Sequence, residues 1–235
     1  RGADGERRVS LRSRGRCAGP EGPGGDLASA GDHRLAAAIE EDLAAGRVPC
    51  AIVATTGSTT TTALDPIEPV AAIAAQHGLW LHVDAAMAGS AMILPECRWM
   101  WRGIEGADSI VLNPHKWLGA AFDCSVYFVR HPDDLVRVMS TNPSYLQTAA
   151  DRVVKNYRDW GIPLGRRFRA LKLWFVIRAF GVEGIAERVR GHVVLAREFR
   201  SWLEADPYFA AGFWQSIDYR PFLPAAGDFV GGTIW

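Results

Sequence analysis

Apolar and polar positions follow two alternating rhythms from residue 33 onward. "HRLAAAIEEDLAAG" (33–46) sets apolar residues at helical spacing and closes on Gly46, which predicts a helix ending there. "CAIVAT" (50–55) is a short continuous apolar run, the pattern of a strand buried on both faces. A polar turn, "GSTTTTALDP", follows. "PIEPVAAIAAQHG" (66–78) predicts a second helix, with Pro66 at its start and Gly78 at its end. The runs "LWLHV" (79–83), "DSIVLN" (108–113) and "CSVYFV" (124–129) predict three further strands. Strands alternating with helices imply an α/β fold: a mostly parallel sheet, helices on both faces and right-handed crossovers.

Past Arg130 the pattern becomes helical. Residues 131–140 predict a short helix. Residues 166–181 and 182–206 predict two long amphipathic ones, with Trp174 and Phe175 assigned to the core. The stretch between them, 141–165, has little periodicity and is expected to include a mobile loop. The last segment, from Pro207, scatters aromatic residues without an assignable period. Residues 1–32 are rich in Gly, Arg and Pro and nearly lack large apolar residues, so they are expected to be disordered. The expected organisation is therefore an atypical segment 1–32, a partial large α/β domain 33–180 and a helical C-terminal region with an atypical tail, 181–235.

Composition narrows the function classes. Hydrophobic residues make up 49% of the 235-residue chain, enough for a core, and the net charge is zero. No global field therefore points to nucleic acid or an anionic membrane surface. No apolar run is long enough for a membrane span, and no basic-then-apolar leader is visible. The four cysteines (Cys17, Cys50, Cys97, Cys124) lie far apart without a CxxC pair, which favours reduced thiols and a cytoplasmic protein. The histidines are scattered and form no HExxH, so no metal site is expected. Arginine outnumbers lysine 23 to 3, and the three lysines are Lys116, Lys155 and Lys172. Arginine cannot replace a lysine whose neutral amine is needed, so each lysine draws notice.

Candidate chemistry gathers at predicted strand ends, where open parallel sheets bind ligands. "LWLHV" delivers Asp84, followed by Ala85 and Ala86; "DSIVLN" delivers Asn113, His115 and Lys116. An acid and a lysine on neighbouring strand ends suit pyridoxal phosphate. That cofactor needs a lysine to hold its aldehyde and a carboxylate to keep its pyridine nitrogen protonated. Small residues beside the acid let a flat ring lie close to the backbone. Taken singly, Asp84 also reads as a cap or turn residue, Thr59–Thr62 as a polar turn, and His82 as a core histidine. The ordered pair D-A-A and N-P-H-K-W, whose lysine lies thirty-two residues after the Asp, is far more specific.

At these residues the chain resembles the group II pyridoxal-phosphate-dependent decarboxylases, specifically the aromatic-L-amino-acid decarboxylase branch. The matching stretches are "VATTGSTTTTALDP", "WLHVDAAMAGSAMILPE", "NPHKWLGAAFDCS", "YRDWGIPLGRRFRALKLWFVIRAFGVEG" and "HVVLAREF", over roughly 33–205. "NPHKW" and "IPLGRRFRALK" carry the branch. The resemblance implies a fold-type I large domain and a carboxy-lyase that converts an aromatic L-amino acid to its amine and CO2. It implies Lys116 as the Schiff-base lysine, Asp84 against the pyridine nitrogen and Ala86 under the ring. It puts Thr59 near the polar ring edge and substrate, and Asn113 and His115 near the phosphate and active centre. Tyr145, in "NPSYLQ", matches the tyrosine of a mobile catalytic loop that protonates the substrate at Cα. Relatives with Phe at that tyrosine tend to be aldehyde synthases. Arg166, Arg167 and Arg169 are expected in ion pairs between subunits or domains. The resemblance further implies a homodimer. Family members are considerably longer, and residues 1–32 and those after about 208 do not resemble them, so the chain is expected to be a fragment, incomplete at both ends.

Overall fold

The computed structural model describes residues 27–58, 64–140, 148, 151 and 153–207. Helix α1 (Leu27–Ala44) leads into strand β1 (Ala51–Thr55), helix α2 (Ile67–His77) and strand β2 (Trp80–Asp84). Three short 3-10 segments, Ala88–Ile93, Pro95–Trp101 and Ile104–Gly106, connect to β3 (Ser109–Leu112). Then come β4 (Val126–Val129), α3 (Pro132–Met139) and, after a 3-10 turn at Tyr157–Trp160, the long α4 (Ala170–Ala205). Helix α1 begins six residues before the apolar spacing picks it up. The bounds of α2 fall where proline and glycine place them, with Pro66 as N-cap and Gly78 as C-cap.

The four strands lie in the order β1-β2-β3-β4. The first three are parallel, and β4 runs antiparallel to β3. Register aligns Thr55, Asp84, Val111 and Tyr127 across the sheet, and likewise Val53, His82, Ser109 and Val129. Burial alternates along β1 and β2, contrary to the expectation of strands buried on both faces. Ile52, Ala54, Leu81 and Val83 point into the core, whereas Val53 is 43% exposed. The apolar run does not distinguish these cases, because short β-branched residues occupy both faces of β1.

The core forms where α2 lays Ile67, Val70 and Ala74 over Ile52, Ala54, Leu81 and Val83. Leu94, Cys97, Met100 and Trp101 of the 3-10 segments join it, as do Ile185, Val189 and Val193 of α4. Gly103 sits at φ 85°, and a Cβ there would lie 2.3 Å from the Cα of Glu68, so the 3-10 connection can pass under α2 only as glycine. Leu81 is wholly buried in the sheet. Leu81→Ala removes its methyl groups and leaves a void in a layer held by strands on both sides, so it should lower unfolding free energy by about 3–5 kcal/mol. Chemical denaturation with unchanged m-value checks this; a change under about 1 kcal/mol would contradict the packing.

Helix α4 is two helical arms meeting at Gly181, whose φ of 63° and ψ of 177° no other residue adopts readily. This matches the two helices expected at 166–181 and 182–206. Trp174 and Phe175 do not enter the core as expected; they are 52% and 57% exposed. Their amphipathic spacing is real, but on this arm the apolar stripe that includes Leu171, Trp174 and Phe175 faces outward among the described residues.

Candidate active site

The strand-end residues are brought to one edge by the parallel pairing itself. Asp84 ends β2 beside Thr55 and Val111, its register partners. Beyond the sheet the chain stays stitched: the Thr56 amide donates to the Asp84 carbonyl (2.8 Å), and the Ala85 amide to the Val111 carbonyl (3.0 Å). The Asn113 amide donates to the Ala86 carbonyl (3.0 Å), and the Lys116 amide to the Asn113 carbonyl (2.9 Å). The acid-bearing and lysine-bearing segments are therefore neighbours at the carboxyl end of the sheet, where parallel sheets bind ligands.

One carboxylate oxygen of Asp84 accepts the Ala86 amide at 3.0 Å, which orients the side chain. Ala85, the next residue, is fully buried. Lys116 is half-buried, and its amine makes no hydrogen bond or ion pair among the described residues. The side-chain carbonyl of Asn113 and the hydroxyls of Thr56 and Ser90 are buried without a hydrogen-bond partner among the described residues. Buried polar atoms are normally paired, so their clustering in the connections after β1, β2 and β3 marks a polar cradle. The β1–α2 loop is closed at its base by the Asp65 amide, which donates to the Thr55 carbonyl at 2.9 Å, and by the Thr55 amide, which donates to the Asp65 carboxylate at 2.7 Å. Thr59 lies in that loop and Tyr145 in the 141–147 stretch; both fall outside the described residues.

His82 lies two residues before Asp84 on the same strand face. Its Nδ1 is 2.8 Å from the Ser109 hydroxyl, which also receives the Trp80 indole N–H at 2.9 Å. The ring stacks on Tyr127 with centroids 5.9 Å apart. Burial pushes its pKa below the ordinary value, against the Asp84 charge and the Ser109 main chain, which favour the cation. His115 is fixed by Cys124, whose main-chain oxygen and nitrogen lie 2.7 and 3.0 Å from Nδ1; the tautomer decides which bond forms. Its ring meets Phe122 edge-on at 4.9 Å.

The segment after Lys116 is tied to α4. Arg169, expected in a contact between subunits or domains, instead pairs with Asp123 of the same chain at 2.7 Å, and Lys172 lies 3.7 Å from the same carboxylate. The hydrogen-bonded Arg169 guanidinium, with the Asp123 main chain and the Lys172 charge behind it, holds the Asp123 carboxyl down at about 2. A carboxyl depressed from its ordinary 3.8 contributes fully above that value, and its contribution is lost as pH falls from there through about 2. The parent chain should therefore lose more stability than Asp123→Asn over that window. Acid titrations of both followed by circular dichroism check this; parallel curves would exclude the linkage.

Sequence reasoning missed the partners on α4. Trp117 follows the lysine and is 8% exposed; its indole N–H donates to His192 Nδ1 at 3.0 Å. The Arg188 guanidinium donates to the Leu118 carbonyl. "HVVLAREF", which opens on His192, was already among the resembling stretches, but sequence separation gives no hint that it reaches residue 117. Among the described residues no group of three or more His, Cys, Asp or Glu side chains could hold a metal ion. Nor is any helix there long and apolar enough to cross a membrane.

An acid and a lysine thus share the carboxyl end of a mixed, mostly parallel sheet. Residues 27–213 match the pyridoxal-dependent decarboxylase conserved domain, and the chain belongs to that family. It is 48% identical over 177 residues to a tryptophan decarboxylase of Camptotheca acuminata, covering 74% of this chain and 35% of that protein. It is 46% identical to a phenylacetaldehyde synthase of Arabidopsis thaliana, with 74% and 36% covered. Among solved structures, it superimposes on Oryza sativa tryptophan decarboxylase with pyridoxal phosphate and tryptamine at a TM-score of 0.71 and 42% identity, covering 74% of this chain and 36% of that one. The chain thus spans about a third of the length of the relatives it matches.

Proposed function

We propose that this chain carries the lysine side of a pyridoxal-phosphate site in an enzyme that decarboxylates an aromatic L-amino acid to its amine. One observation carries the reading: Asp84 ends β2 and Lys116 lies in the turn just past β3, the neighbouring parallel strand, the two segments being joined by the Asn113–Ala86 bond. The residues present fit the group. An amine without a described partner, an oriented carboxylate, a small alanine pair and buried polar atoms awaiting partners are what an aldehyde, a pyridine nitrogen, a flat ring and polar substituents require.

When bound, pyridoxal phosphate supplies an electrophilic aldehyde and an electron-accepting pyridinium into which the pair left by departing CO2 delocalises. Lys116 would hold the aldehyde carbon. Asp84, held by the Ala86 amide, would keep a proton on the ring nitrogen, and Ala86 would pack beneath the ring. Asn113 and His115 would sit near the phosphate and the reacting centre, with Thr59 at the polar ring edge. Tyr145 would deliver the proton to the substrate Cα, and closure of its loop would exclude water. We place the protein in the cytoplasm and, as a whole, in a homodimer with shared sites.

A second reading, aldehyde synthase, is favoured by the phenylacetaldehyde synthase among the relatives, at nearly the identity of the decarboxylases. Tyr145 supports decarboxylation instead. The test incubates the purified chain with pyridoxal phosphate and aromatic L-amino acids and identifies products by mass spectrometry. Amine with CO2 supports the main reading, and aldehyde the second. Absence of any bound cofactor would overturn both for this chain.

A further inference from the structure

The two residues flanking Lys116 are held differently, and this difference reveals a role for α4. His115 is tied to Cys124 within its own loop. Trp117 and Leu118 are held from outside, by two side chains one helical turn apart on α4. An indole nitrogen can only donate, so the 3.0 Å contact requires His192 Nδ1 to accept. Arg188 covers the next two residues: its guanidinium bonds the Leu118 carbonyl, lies against Gly119 and rests on the Phe180 ring at 5.0 Å. Val189 and Val193, on the same helix face, anchor that turn in the core.

We propose that His192, with Arg188 beside it, is a positioning residue that clamps the 116–119 backbone to α4 and so fixes the direction in which Lys116 extends. A lysine side chain has four rotatable carbons, and its amine can be aimed only if the backbone beneath it is fixed. The residues after Lys116 belong to no strand or helix before β4, so the clamp adds to what the loop has of its own, the Ala120 amide on the Pro114 carbonyl and the burial of Trp117. The consequence for cofactor capture rests on the function proposed above; the clamp itself does not.

The experiment uses the whole chain and three variants, His192→Leu, His192→Asn and Arg188→Met. Asparagine places an acceptor oxygen where Nδ1 stands, so it is the conservative rescue. His192 is exposed, so its replacement leaves the core intact. In the cofactor-free chain, His192→Leu should shift the Trp117 indole N–H resonance and speed amide exchange at residues 115–119 roughly fivefold, the effect of one lost hydrogen bond. His192→Asn should restore both, and Arg188→Met should speed exchange at 118–119. With pyridoxal phosphate added, His192→Leu should weaken capture at Lys116 by a similar factor. An unmoved indole signal or unchanged exchange in His192→Leu overturns the clamp. Faster exchange with unaltered capture overturns its role in aiming the lysine. A parent chain that captures no cofactor defeats the function proposed above, and the exchange data still decide the clamp.

Discussion

Lys116→Ala should abolish covalent capture of pyridoxal phosphate altogether, the largest single effect expected of any substitution here. The visible absorption band of lysine-held cofactor should form in the parent chain and be absent in the variant. Borohydride reduction followed by peptide mass spectrometry should find the label on residue 116. Lys116→Arg is the sharper control. It keeps a cation and most of the stem, yet arginine does not release its proton and so cannot attack an aldehyde. It should be as inert as alanine. The chain makes this test unusually clean because it has only three lysines. Lys172 is occupied at 3.7 Å from Asp123, and Lys155 lies exposed, far along the chain from the strand-end cradle. Label on either of those, or a band that survives Lys116→Arg, would end the assignment. Folding should be unaffected, because the Lys116 amine holds no hydrogen bond or ion pair among the described residues.

The parts of this fold that were legible in the sequence are those dictated by local rules. Helix α2 could be bounded to the residue because Pro66 and Gly78 have conformational preferences that do not depend on tertiary context. The four strands could be placed because apolar runs of that length must be buried somewhere. What could not be read was how much of each strand is covered. Val53 sits between core residues Ile52 and Ala54 in a run that is apolar throughout, and only the three-dimensional layering leaves it 43% exposed. Trp174 and Phe175 failed for the same reason: an amphipathic stripe states that a face wants burial, not that a partner lies against it. The reversal of β4 was also invisible, since strand direction depends on the path of the 113–125 connection. Asp84, Asn113, His115 and Lys116 could be placed at one end of the sheet because they are close in sequence to strand ends. His192, Arg188 and Ser109 were missed because each acts through a residue distant in sequence or on a neighbouring strand.

Asp84 is where geometry and charge can be separated. Asp84→Asn keeps the size of the side chain, and its amide oxygen can still accept the Ala86 N–H that now holds the carboxylate at 3.0 Å. It removes only the negative charge. If that charge keeps the cofactor's ring nitrogen protonated, the variant should still capture pyridoxal phosphate at Lys116 but decarboxylate more slowly by roughly one to two orders of magnitude, the worth of a charge-assisted hydrogen bond. Asp84→Ala should lose the same charge and also leave the Ala86 amide unpaired, so it should bind cofactor less well too. A cofactor analogue methylated at the ring nitrogen carries a permanent positive charge and needs no acid to supply one. It should narrow the gap between Asp84→Asn and the parent chain, without helping Lys116→Ala. Equal turnover in parent and Asp84→Asn would remove Asp84 from the reaction and leave it as the residue that turns the chain out of β2. The neighbouring His82 sharpens the comparison. Burial holds that imidazole toward its neutral form although Asp84 attracts the proton, so the carboxylate's charge is not already spent on a neighbour two residues away.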